Sequence, residues 1–247
     1  MKQLMFLLVL RALIVLAALF CLLRIISNCA NADELPKYKI AIIDTGYDLS
    51  SNSGLKLCPS GHFDFKTNTP TINYTRQHGT HVAEIIAEQL KDVDYCAVIY
   101  QVEDRTGFYP ISNLVKALKM SLREGVVAVN YSINGPDPSI EERDTWKKLS
   151  DRNIMLFVAA GNFGANLDKG CDQFPTCYDI PNLFSVGALD SITNLRAEYS
   201  NFGKHVRLWF SGEPLKPSTH EHGTSFAAPR ALSEFMLRLV KAEGTTT

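Results

Sequence analysis

From about residue 39 to residue 241 the chain alternates short apolar runs with longer amphipathic stretches, and this alternation restricts the available folds more than any other feature. The apolar runs 39–43, 97–102, 126–130, 154–158 and 183–186 are rich in Val, Ile and Phe and nearly continuous in hydrophobicity. That is the pattern of strands buried on both faces. Residues 79–90, 111–123, 140–151 and 225–241 carry helical periodicity. Strand followed by helix, repeated, predicts an α/β domain with a mostly parallel central sheet, helices on both faces and a site at the carboxyl ends of the strands. No internal repeat or linker interrupts the pattern, so a single domain is expected.

Composition supports one domain with a full core: 247 residues, 46% hydrophobic, formal net charge −1. Nothing in that balance suggests nucleic-acid binding. The first residues lie apart from the domain. Met1 and Lys2 precede an apolar run from Leu4 to Ile26, broken only by Arg11 and Arg24. The uninterrupted stretch 12–23 is short for a bilayer span, and Ala30-Asn31-Ala32 has the small-x-small form of a signal peptidase site. The expectation is a cleaved export signal over 1–32, with the domain over 33–247, in a secreted or periplasmic protein. Two alternatives stand beside it: membrane attachment through residues 4–26 if the leader is retained, and lipid attachment at Cys29, for which Asn28 is larger than such signals favour.

Removing the leader takes Cys21 and Cys29 with it and leaves Cys58, Cys96, Cys171 and Cys177, an even number that allows three pairings. Cys171 and Cys177 flank a short loop containing Pro175, where closure is sterically open. Four buried free thiols are the alternative, and no spacing matches a zinc site.

Three stretches carry the chemistry: Ala41-Ile42-Ile43-Asp44-Thr45-Gly46, His78-Gly79-Thr80-His81-Val82-Ala83 and Gly223-Thr224-Ser225-Phe226-Ala227-Ala228-Pro229. An acid, a base and a nucleophile thus occur in the order Asp, His, Ser. A hydroxyl is a weak nucleophile, and a histidine that takes its proton and later returns it to the leaving amine serves both halves of acyl transfer. Taken singly, each residue has a plainer reading, as a turn or helix cap.

Taken together, and over residues 39 to about 240, these stretches resemble the subtilisin-like serine peptidases, in which the same order occurs. The resemblance implies a subtilisin-like fold and a serine endopeptidase in which Ser225 is the nucleophile, His78 the base and Asp44 its orienting acid. It gives Asn162, in Val158-Ala159-Ala160-Gly161-Asn162, the part of oxyanion donor beside the Ser225 N–H. It makes Ser132, Ile133 and Asn134 one wall of the substrate pocket, with Ala159, Ala160 and Gly161 beside it and Gly107, Phe108 and Tyr109 as the opposite edge. A polypeptide substrate, a monomer, no cofactor and no metal are expected. The family topology makes the strands after Cys58 and at Cys96 parallel neighbours, which implies Cys58 paired with Cys96 and Cys171 with Cys177. Alternatives from other classes are a catalytically silent binding protein of this fold and an esterase or transacylase using the same residues.

The sequence also departs from the family pattern. Glu84 stands where a glycine is usual, so the helix is expected to shift or to turn this carboxylate to solvent. Asn134 replaces a pocket glycine and adds a side chain near the substrate. The connection 88–95 is too short for the family's calcium loop. A folding pro-domain and the family's terminal hairpin and helix are not expected in this chain. His81 is expected to serve packing, the run Thr219-His220-Glu221-His222 to be solvated, and Pro229 to fall near the first turn of its helix.

Overall fold

The computed structural model describes residues 36–216 and 221–244. The expected leader, with Cys21 and Cys29, lies outside them, as do Thr219 and His220. The elements follow in the order β1 (Tyr38–Asp44), β2 (Phe63–Asp64), α1 (His78–Gln89), β3 (Tyr95–Gln101), α2 (Ile111–Glu124), β4 (Ala128–Tyr131), α3 (Ile140–Ser150), β5 (Met155–Ala159), β6 (Leu183–Leu189), β7 (Val206–Ser211) and α4 (Thr224–Gly244). All strands pair in parallel, in the order β2-β3-β1-β4-β5-β6-β7.

Successive strand residues point to opposite faces, which sorts the apolar runs into two cores. Ile40, Ile42, Ala97, Ile99, Phe157 and Val186 pack against Val82, Ile85 and Ile86 of α1 and Phe226, Ala227, Leu232 and Met236 of α4. Ala41, Ile43, Val98, Tyr100, Leu156 and Val158 pack against Leu114 and Leu118 of α2 and Trp146 and Leu149 of α3. Burial on both faces explains why these strands read as continuous apolar runs. β7 escaped that criterion because it is an edge strand. Its Val-Arg-Leu-Trp-Phe-Ser sequence is mostly half-exposed, and the exposed Arg207 interrupts the apolar run.

Both disulfides are formed, Cys58–Cys96 with Cα atoms 4.8 Å apart and Cys171–Cys177 at 5.7 Å. The first arises differently from the expectation. A separate segment before β2 pairs with the start of β3, with Cys58 N–H bonded to Ala97 O at 3.0 Å and Ala97 N–H to Lys56 O at 2.8 Å. β2 joins β3 only further along, at Tyr100 and Gln101.

The chain leaves β1 for the β2–β3 side and then crosses to β4, so β1 and β4 flank the point where the winding reverses. Open parallel sheets place their sites at the carboxyl ends of such strands. Asp44 ends β1, Ser132 follows β4, and Gly161 and Asn162 follow β5.

Candidate active site

The acid and the imidazole are brought together by one close approach of backbone to backbone. Gln77, before α1, offers no side-chain cap. Instead the Thr45 hydroxyl, just past β1, accepts from Gly79 N–H at 2.9 Å and donates to Arg76 O at 3.0 Å, fastening the strand end to the helix start. A Cβ on Gly79 would overlap the Gly46 carbonyl and come within 3.2 Å of Asp44 Oδ1, so only glycine fits. Held this way, His78 Nδ1 lies 2.7 Å from Asp44 Oδ1, which also accepts the Thr45 N–H at 2.7 Å. Asp44 is fully buried, whereas the His78 side chain is 29% exposed on the cleft side. Burial alone would favour neutral imidazole, but the Asp44 charge and hydrogen bond outweigh it, helped by Glu221, and His78 is held above its ordinary value of 6.5.

Ser225 lies in the first turn of α4, nearly buried. Its Oγ donates to Ser132 O at 3.1 Å, not to His78, although all three residues line one cleft. Pro229 is not in the first turn as expected but inside α4. Lacking an N–H, it leaves the carbonyl four residues back, that of Ser225, without a helical partner. The Ser132 hydroxyl satisfies it at 3.0 Å. Ser132 is thus bonded to Ser225 in both directions, which ties the pocket wall to the helix.

Asn162 Oδ1 accepts from Thr224 N–H at 2.8 Å and from the Thr224 hydroxyl at 2.9 Å. A backbone N–H only donates, so this oxygen is assigned without ambiguity. Nδ2 is left without a hydrogen bond among the described residues and lies on the cleft beside Gly223. The Ser225 N–H likewise makes no hydrogen bond among the described residues, unlike Thr224 N–H, which goes to Asn162, and Phe226 N–H, which goes to Gly223 O. The cleft therefore offers two unused donors at a helix N-terminus, where the peptide dipoles favour negative charge.

The cleft, about 430 Å³, is lined by residues that include His78, Tyr109, Ser132, Ile133, Asn134, Gly161, Asn162 and Ser225. A second hollow of about 430 Å³ lies between Phe108 and Tyr109 on one side and Ile133 to Pro136 on the other. Ala159 and Ala160 are buried and contribute carbonyls rather than surface: Ala159 O accepts from Asn134 and Thr176, and Ala160 O from Asn201. Gly107 lines neither hollow. It makes the turn, at φ 88, that closes the loop before Phe108.

Three residues that sequence reasoning passed over, Asn201, Gln173 and Thr176, prove structural to the site, and Gly161, already singled out, owes its identity to one of them. Asn201, fully buried, donates to Ala160 O at 2.9 Å and accepts from Phe163 and Ala165 N–H, holding the loop that carries Asn162. Gly161, at φ 98, must be glycine because a Cβ would overlap the Asn201 amide. Gln173 lines the cleft, and Thr176 lies behind it. Their sequence signal is weak: polar residues in loops, with only the compact Tyr199-Ser200-Asn201 run to mark one of them. Two further expectations are corrected. Glu84 neither faces solvent nor stands alone: it is buried and paired with Lys216 Nζ at 2.6 Å. His81 does more than pack, since its Nδ1 lies 2.9 Å from Glu221 Oε2, which joins α1 to the segment before the nucleophile. Among the described residues no group of His, Cys, Asp or Glu is clustered to hold a metal.

The seven-stranded parallel sheet, with Asp44 at its carboxyl edge and His78 and Ser225 at the starts of α1 and α4, has the subtilisin-like fold. The chain belongs to the subtilase family, whose model matches residues 36–242. It is 28% identical over 216 residues to Subtilisin DY of Bacillus licheniformis, covering 82% of this chain and 77% of that one. It is 27% identical to Subtilisin E of Bacillus subtilis (strain 168), of which the match spans 55%. A cold adapted subtilisin-like serine proteinase of known crystal structure shares the fold with a TM-score of 0.68 at 22% identity, over 83% of this chain and 76% of the other.

Proposed function

We propose that the protein cleaves peptide bonds through an acyl-enzyme formed on Ser225. The observation that carries this reading is the 2.7 Å Asp44–His78 pair set in the same cleft as Ser225 and the unused amide of Asn162. Asp44 holds the imidazole with Nδ1–H directed at its carboxylate, which leaves Nε2 as the base. Ser225 Oγ forms a bond to the substrate carbonyl carbon as its proton passes to Nε2. The carbonyl π pair moves to oxygen, where the Ser225 N–H and Asn162 Nδ2 stabilise it. Collapse expels the amine with the proton from His78, and water repeats the sequence to release the acid. In the free protein Ser225 donates to Ser132 O. A substrate strand added along Ser132 to Asn134 presents backbone N–H groups that compete for that carbonyl and free the hydroxyl to turn to His78.

The Ser225–Ser132 bond is also the one feature that favours a silent binding protein. A fluorophosphonate decides between the two, because only an activated serine reacts with it. Ser225 is expected to be labelled, and Ser225→Ala and His78→Ala are each expected to abolish labelling and hydrolysis with the fold retained. An unlabelled, folded wild-type protein would refute the reading. Export to an oxidising compartment is part of the proposal, supported by the two disulfides and the leader-like first residues. Among the described residues no helix is long and apolar enough to cross a membrane.

A further inference from the structure

We propose that the Asn134 side chain closes the pocket for the residue whose carbonyl is attacked, so that the enzyme cleaves after glycine, alanine or serine and rejects large side chains. The inference deepens the peptidase reading and rests on Ser225 being the nucleophile. The cleft next to Ser225 is lined by Ser132, Ile133 and Asn134 after β4 and by Gly161 and Asn162 after β5, with the Ala159 carbonyl at the end of β5 behind it. Asn134 bridges the two strand ends. Its Nδ2 donates to Ala159 O at 2.9 Å and to Thr176 Oγ1 at 3.2 Å. These are hydrogen-bond distances, and no carbon of a substrate side chain passes between such partners.

The material behind the bridge is equally full. Thr176 is buried, donates to Ala159 O at 2.9 Å and accepts from Ser185 Oγ at 3.3 Å. Gln173, nearly buried, lines the same cleft, with its Oε1 placed 3.0 Å from where a Cβ on Gly161 would stand. The loop bearing Gln173 and Thr176 is cross-linked at its ends by Cys171–Cys177. It is zipped to the wall by Gly135 N–H to Phe174 O at 3.0 Å and Phe174 N–H to Gly135 O at 2.8 Å. With both ends tied, the floor has little freedom to retreat.

A leucine or phenylalanine entering the pocket has to expel the Asn134 amide, breaking both of its hydrogen bonds and leaving that amide without the partners it has here. A methyl or hydroxymethyl group stops short of the bridge. Rejection through unpaired polar groups discriminates more strongly than loss of a methylene, so a preference for alanine over phenylalanine of about 100-fold or more in kcat/KM is expected. Removing the amide leaves no carbonyl stranded, since Ala159 O keeps its bond from Thr176.

The test is a series of peptide p-nitroanilides that differ only in the residue before the scissile bond, read on wild type and on Asn134→Gly beside fluorophosphonate labelling of both. Wild type is expected to favour glycine, alanine and serine. In Asn134→Gly the phenylalanine-to-alanine ratio of kcat/KM is expected to rise at least tenfold. Labelling together with efficient wild-type cleavage after phenylalanine or leucine overturns the inference and leaves the peptidase reading standing. So does a ratio that does not move in Asn134→Gly. Absence of labelling in folded wild type overturns both. The wild-type profile needs no variant and decides the matter even if Asn134→Gly fails to fold.

Discussion

Removing the two disulfides one at a time separates their contributions to stability and to the site. Cys58 and Cys96 are 38 residues apart and Cys171 and Cys177 only 6. In the chain-entropy account a cross-link removes loop-closure entropy from the unfolded chain in proportion to the logarithm of the closed length. For these separations that amounts to about 4 and about 2 kcal/mol at 25 °C. Cys58 and Cys96 are also buried within the core that includes Val98 and Ala41, so deleting their sulfurs loses packing as well. The paired change Cys58→Ala with Cys96→Ala is therefore expected to lower the unfolding free energy by at least about 4 kcal/mol. For a domain of this size that corresponds to a fall in Tm of about 8–15 °C. The pair Cys171→Ala with Cys177→Ala should cost about half as much stability. It should instead broaden the side chains accepted before the scissile bond, because it releases the loop bearing Gln173 and Thr176. The measurement is urea unfolding of both variants in a Ser225→Ala background, which prevents self-digestion. Substrate profiles are taken with the nucleophile restored. A larger stability loss from the short cross-link than from the long one would refute the loop-entropy reasoning.

Other outcomes concern the chemistry. Asn162→Leu removes the free amide while leaving the cleft, and turnover should fall about 100- to 1000-fold with little change in KM, a magnitude that is subtilisin's own. A raised KM with turnover spared would make Asn162 a binding or turn residue. Because the base must be neutral and Asp44 holds His78 above 6.5, the acidic limb of kcat/KM should lie above pH 6.5. Glu221→Gln should move that limb down, since it withdraws a charge that favours the imidazolium, and a limb unmoved or moved upward would contradict the assigned electrostatics.

The order of strands and helices, the two-sided burial of the sheet and the positions of Asp44, His78, Ser225 and Asn162 were legible in the sequence. Each depends on local pattern: continuous apolar runs for strands buried on both faces, and short motifs whose residue types suit one kind of chemistry. β7 was missed for the same local reason, because this edge strand carries an exposed arginine, Arg207, that breaks the run. Only the tertiary structure decided how distant segments complete one another. Glu84 is buried because Lys216, far along the chain, reaches it. Ser132 answers the carbonyl that Pro229 deprives of a partner. Thr224 fixes which atom of Asn162 remains free, and Asn134 reaches across to Ala159 and Thr176 instead of toward solvent. Such partnerships join residues tens of positions apart through hydrogen bonds whose distance and direction arise only when the strand ends are packed together, so no periodicity or spacing along the chain encodes them in readable form.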